Sequence, residues 1–239
     1  MLNLIFDVDD TLYDQLLPFR AAYADVFCGL YPISDEELYI KSRHYSDKVF
    51  HLVETNAMSL KDMHEYRISK AFADFGIKIS SEEALTFQQA YEKRQNEIEL
   101  SNEMKKVLNF CKDQQVVTGI ITNGPADHQK KKIKHLDLDQ WIAPDKIFIS
   151  EELNMAKPDK RLFHHVQNAM RLDPVHTFYL GDSYRNDVLG AKAAGWKAIW
   201  LNRRSDPLLK DLTIIPDYTL KRENEILGLL RSLKQAHGM

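Results

Sequence analysis

The sequence predicts an α/β protein, a parallel sheet flanked by helices with an inserted four-helix bundle. Three observations carry this. Short apolar runs rich in β-branched residues alternate with helical patterns from residue 101 onward. One further run, Leu2 to Phe6, stands at the N-terminus and reads as a buried parallel strand. Between the two, residues 16–96 show helical spacing and no strand signal.

The insert opens with Leu17, Ala21, Ala24, Phe27 and Cys28 at helical spacing. Ser34, with Glu37 three residues on, starts a second helix. Residues 59–75 form a third, stopped by Gly76, and Ser80-Ser81-Glu82-Glu83 opens a fourth. Its polar and aromatic residues Phe19, Arg20, Tyr23, Tyr45, Phe50 and His51 read as helix packing or solvated surface. A helix over residues 101–113 then leads into the apolar run 116–121, a central strand. Pro125 is placed at the first turn of the next helix, residues 126–135. Strands follow at 146–150, 177–180 and 196–201, with a short edge strand at 218–220 and a last helix over 223–236. Pro158 is expected to open the helix after the third strand.

The 239 residues suffice for a core with a smaller attached domain. A net charge of −3 gives no electrostatic reason to bind nucleic acid or an anionic membrane. No apolar run approaches ~18 residues, and the N-terminus lacks the pattern of a signal peptide, so a cytoplasmic location is the default expectation. Cys28 and Cys111 are expected to be buried free thiols. The expected assembly is a monomer or homodimer.

Chemistry concentrates where strands end. Asp7, Asp9 and Asp10 fall within four residues, and carboxylates this close repel unless positive charge sits among them. Hard oxygen ligands on a turn suit Mg²⁺. The alternative is a solvated acidic turn. Thr122-Asn123-Gly124-Pro125 joins a strand to a helix and could offer N–H groups and a hydroxyl to a phosphate, or serve as a plain cap. Lys157 could present a point charge to the same phosphate. Asp182 and Asp187 lie at another strand end and the following helix start. The run Lys130-Lys131-Lys132 with Lys134 reads as a solvated face, and His164 and His165 as surface or packing residues.

Asp7-Val8-Asp9-Asp10-Thr11, Ile121-Thr122-Asn123-Gly124, Ala156-Lys157-Pro158-Asp159 and Gly181-Asp182-Ser183-Tyr184-Arg185-Asn186-Asp187 resemble, in order, the four motifs of the haloacid dehalogenase superfamily. The resemblance implies a Rossmann-like core over residues 1–15 and 98–239 and a helical cap over 16–97, placed above the active site. It implies that Asp7 is the nucleophile, that Asp9 is the general acid and base, and that Thr122, Asn123 and Lys157 hold the phosphoryl group. Mg²⁺ would be bound by Asp7, the Asp9 carbonyl, Asp182 and Asp187, with the small residues Gly181 and Ser183 leaving room for it.

The acidic Asp9 favours phosphoester over halide chemistry, because a leaving halide needs no proton. Asp10 stands where many phosphatases of the superfamily carry Gly. Asp-Asp-Thr-Leu-Tyr resembles a branch that includes pyrimidine 5′-nucleotidases, which implies a small-molecule phosphate ester, a nucleoside 5′-monophosphate, as substrate. A phosphosugar phosphatase or mutase is the alternative, and a non-catalytic phosphate-binding protein is the alternative of another class.

Overall fold

The computed structural model describes residues 2–204 and 214–236. The chain divides into two compact units, one built from the chain up to Asp14 and from Glu99 onward, the other Gln15–Ile98.

In the first unit the strands β1 (Asn3–Phe6), β2 (Val117–Thr122), β3 (Ile147–Ile149), β4 (Thr177–Gly181), β5 (Lys197–Leu201) and β6 (Tyr218–Leu220) form one sheet in the order β3-β2-β1-β4-β5-β6, with every pairing parallel. β1, β4 and most of β2 and β5 are buried, as strands covered on both faces must be. The strand order reverses direction at β1, so the crevice beyond the ends of β1 and β4 is where such sheets receive ligands. Phe6 lies level with Ile120 on one side and Leu180 on the other. That register brings Asp7, Thr122 and Asp182 to the same edge of the sheet.

The helices of this unit are α5 (Asn102–Asp113), α6 (Ala126–His135), the short α7 (Ser150–Leu153), α8 (Lys160–Met170), α9 (Leu189–Ala193) and α10 (Asn224–Ala236), numbered after the four helices of the other unit. Ser101, read as the first residue of this helix, instead caps it through its hydroxyl. Two further boundaries differ from expectation. Pro125 is the residue before α6, with an extended backbone. Pro158 does not open α8; Asp159 caps that helix by accepting the Arg161 N–H.

The second unit contains α1 (Leu16–Phe27), α2 (Asp35–Glu54), α3 (Leu60–Ala73) and α4 (Ser81–Gln95). Ser34, Ser59 and Ser80 each accept a backbone N–H three residues on, and Ser80 and Glu83 form a reciprocal capping box. Its core is aromatic: Phe19 meets Tyr39, Phe87 and Tyr91 edge-on, and Phe27 packs on Phe72. Phe19 and Tyr23 are therefore packing residues, while Arg20 pairs with Asp35 and Tyr45 donates to Asp74. Cys111 is buried as expected; Cys28 is exposed, because it terminates α1 in a left-handed conformation. Among the described residues no helix is long and apolar enough to cross a membrane.

Replacing Ser80 with Ala removes a cap and strands the α4 N-terminal N–H groups. Urea unfolding followed by circular dichroism is expected to show a loss of about 1 kcal/mol.

Candidate active site

β1 ends at Phe6, and the Asp7 N–H still donates to the Leu180 carbonyl of β4 at 2.9 Å. The Asp7 main chain is thus part of the sheet, while its side chain lies beyond it. Thr11 Oγ1 lies 3.4 Å from Asp7 Oδ2, within the same turn.

Lys157 is the centre of the site. Its Nζ donates to Asp7 Oδ1 at 2.7 Å, Asp187 Oδ1 at 2.8 Å and the Tyr179 hydroxyl at 2.9 Å. The Tyr179 hydroxyl in turn donates a hydrogen bond to the Ile121 carbonyl at 2.7 Å. All of these side chains are buried. Burial works against the ammonium, but Asp187 and Asp7 overcome it and hold Lys157 charged well above the usual lysine range. Burial pushes the Asp7 carboxyl up to about 7; Lys157 opposes the rise, and Asp187 and Asp9 add to it.

The backbone of Lys157 is held by Asn123. Asn123 Oδ1 accepts the Lys157 N–H, and Asn123 Nδ2 donates to the Lys157 carbonyl, both at 2.9 Å. The Asn123 amide thus braces the lysine loop instead of pointing its side chain at a phosphoryl group. Neighbouring N–H groups are also engaged: Gly124 donates to Ser150 Oγ and Ala126 to Glu151. Thr122 differs. Its hydroxyl is buried and finds no hydrogen-bond partner among the described residues. A buried unpaired hydroxyl is costly unless a ligand completes it.

Carboxylate oxygens of Asp7, Asp182 and Asp187 lie within 4.8 Å of one another. This donor set is all hard oxygen, which fits a small divalent cation such as Mg²⁺. Asp187 sits on a π-helical turn, Tyr184–Val188, and its other oxygen accepts the Ser183 N–H at 2.9 Å. Gly181 is needed beside it: a Cβ there would lie 2.3 Å from Asp187 Oδ2. The space Gly181 leaves is filled by that carboxylate, itself one of the three that could hold a cation.

Asp9 is placed apart from this cluster. Its carboxylate receives Lys132 Nζ at 2.6 and 2.8 Å, Gln129 Nε2 at 2.9 Å and the Tyr13 hydroxyl at 2.6 Å. Burial alone would push the Asp9 carboxyl up; Lys132, Tyr13 and Gln129 outweigh it and hold it well below the usual carboxylate range. The reading of the lysine run as a solvated face is therefore wrong at Lys132, which is 4% exposed. Lys130 and Lys131 are exposed as expected. The signal lay in helical spacing: Gln129 and Lys132, three residues apart on α6, share a face.

Lys132→Met leaves Asp9 without its cation. A loss of about 2–3 kcal/mol is expected near neutral pH, at the low end for a broken buried pair because Asp9 keeps some contact with water. The pairing lowers the folded pKa, so its stabilisation is present above about pH 4 and declines as pH falls further. The gap between wild type and Lys132→Met in urea unfolding should therefore narrow in acid, whereas Lys131→Met should leave the midpoint unchanged.

The family model of the haloacid dehalogenase-like hydrolases matches residues 2–195. A Bacillus subtilis protein named as an HAD-hydrolase, YfnB, is 25% identical over 95% of this chain and 94% of its own. A crystal structure of YfnB bound to magnesium superposes with a TM-score of 0.70, covering 96% of this chain and 98% of the other at 25% identity. The glyceraldehyde 3-phosphate phosphatase of Methanothermobacter thermautotrophicus is 26% identical over 92% of this chain and 97% of its own. The pyrimidine 5′-nucleotidase YjjG of Escherichia coli is 33% identical over 47% of this chain, which spans about half the length of that relative (48%). With four motifs at one sheet edge and a family match across most of its length, the chain belongs to the haloacid dehalogenase-like hydrolases.

Proposed function

We propose that this hydrolase is an Mg²⁺-dependent phosphomonoesterase acting through an aspartyl-phosphate on Asp7. The observation that carries the proposal is one buried ammonium, Lys157, shared between Asp7 and Asp187, on a sheet edge that also holds the Thr122 hydroxyl, buried and without a partner among the described residues. A carboxylate nucleophile, a cation and an uncommitted donor are what phosphoryl transfer needs.

Mg²⁺ would be held by the carboxylates of Asp7, Asp182 and Asp187 with the Asp9 carbonyl, and would neutralise charge on the transferring group. Asp7 attacks phosphorus, and the bond from phosphorus to the leaving oxygen breaks. Lys157 and Thr122 hold phosphoryl oxygens. Asp9, once it has taken a proton from solvent, gives that proton to the leaving oxygen, then takes one from the water that cleaves the acyl phosphate. The Lys132 pairing keeps Asp9 ionised, the form the second half-reaction uses. Approach of a dianionic phosphate raises its proton affinity for the first.

Two named phosphatases among the relatives support this class, and the YjjG likeness supports nucleoside 5′-monophosphates as substrates. The carboxylate of Asp9, with no role in releasing halide, favours it over dehalogenation. The unit Gln15–Ile98 is assigned as the cap that selects the substrate.

Phosphate release from p-nitrophenyl phosphate, nucleoside monophosphates and sugar phosphates is expected with Mg²⁺ and not with EDTA. Asp7→Asn should abolish it, and retained turnover would overturn the nucleophile assignment. Mg²⁺ at 100 times its Kd should stabilise the wild type by about 2.7 kcal/mol, and should not shift the unfolding of Asp182→Asn/Asp187→Asn. Release that ignores EDTA would overturn the metal assignment.

A further inference from the structure

We propose that Arg203 and Arg204, directly after β5, are positioning residues for the nucleophile turn. The inference rests on Asp7 as the nucleophile.

The turn after β1 is unusual at Asp10, whose φ of +59° is left-handed. Asp tolerates this region better than most residues but does not prefer it. Something must hold it there. Arg203 donates from Nε to the Asp10 carbonyl and from Nη2 to the Thr11 carbonyl, both at 2.9 Å. Arg204 donates from Nη1 to the Asp10 carboxylate at 2.6 Å and from Nη2 to Asp14. Two consecutive guanidinium groups thus grip both the main chain and the side chain of the turn. Planar forks suit this task, because each arginine spans two acceptors at once.

The grip has a firm base. Asn202 N–H donates to the Leu220 carbonyl, so the chain leaving β5 is tied to β6. Arg203 also pairs with Glu223, which in turn accepts the hydroxyl of Ser101. Asp14 and Ser101 lie at the two places where the chain leaves and re-enters this unit, which ends at Asp14 and resumes at Glu99. The same arginine pair therefore fastens the nucleophile turn and both crossings. These contacts run to the nucleophile turn and the crossings, not to Thr122 or Lys157. The clamp acts on where Asp7 points.

The test compares Arg203→Met, Arg204→Met, Arg204→Lys and Asp10→Asn with the wild type in Mg²⁺, using p-nitrophenyl phosphate. Asn accepts the left-handed backbone, so Asp10→Asn removes the carboxylate charge without straining the turn. Each Met variant is expected to lower kcat about 10- to 100-fold, the effect of a small misplacement of a reacting group. KM should hold, and the loss in kcat should persist after correction for the folded fraction measured by circular dichroism, which a general loss of structure would not produce. Arg204→Lys should recover part of the loss, as a point donor replaces a fork. Asp10→Asn combined with Arg204→Met should lose no more than Arg204→Met alone, since that variant already removes the contact with Asp10 along with the one to Asp14.

Unchanged kcat in both Met variants, or additive losses in the double variant, would overturn the proposal. Amide hydrogen exchange gives a readout free of turnover. The Thr11 and Leu12 amides, which donate to Val8 at 3.3 and 3.0 Å, should exchange faster in Arg203→Met while those of β2 do not. Unchanged exchange there also overturns the clamp. A wild type that hydrolyses no phosphoester defeats the proposed function instead, and exchange still decides the clamp.

Discussion

Three carboxylates within four residues, at the end of a buried strand, cannot all ionise side by side without compensation. The first unit is arranged around that repulsion. Each acid turns toward a cation delivered by a different part of the chain. Asp7 meets Lys157 from the loop before α8, Asp9 meets Lys132 on α6, and Asp10 meets Arg204 after β5. Parallel strand order makes this possible, because every crossover returns the chain to the same edge of the sheet. The cations approach from separate elements, so the three carboxylates are drawn apart and given separate tasks.

The supporting contacts follow from placing these cations in a buried edge. An ammonium taken out of water costs several kcal/mol unless its donors are satisfied. Lys157 has three acceptors, and its main chain is clipped at both polar atoms by Asn123. Asp187 in turn needs Gly181, since a side chain there would occupy its place. Lys132 rests on both oxygens of Asp9, with Gln129 beside it to complete the carboxylate.

Much of this was legible from local pattern. Buried parallel strands announced themselves as apolar runs, and Ser34, Ser59, Ser80 and Ser101 announced helix starts, because caps and strand burial depend on neighbours in sequence. What stayed hidden depends on partners far away. Lys132 and Asp9 are 123 residues apart, and a buried lysine within a run of lysines looks like any solvated one. Nothing local shows that Lys157, 34 residues on, takes both ends of the Asn123 side-chain amide. Nor can the sequence say which carboxylate fills the space that Gly181 leaves. Cys28 read as buried from its helical spacing, although the helix ends there and turns it outward.

The distribution of cations also singles out Asp7. Asp9 receives one ammonium on both its oxygens, and its affinity for a proton falls. Asp7 shares its ammonium with Asp187, and Asp182 brings a third carboxylate within reach of the same space. Burial first of all, with Asp187 and Asp9 adding to it against Lys157, raises the Asp7 carboxyl to about 7. A carboxyl in that condition gains most from a divalent cation, which would return it to the ionised, attacking form. The clustered carboxylates likewise disfavour a bound phosphate dianion until such a cation is present. The proposed metal, nucleophile and phosphoester would thus share one electrostatic requirement beside Lys157, and Asp9 is paired separately with Lys132.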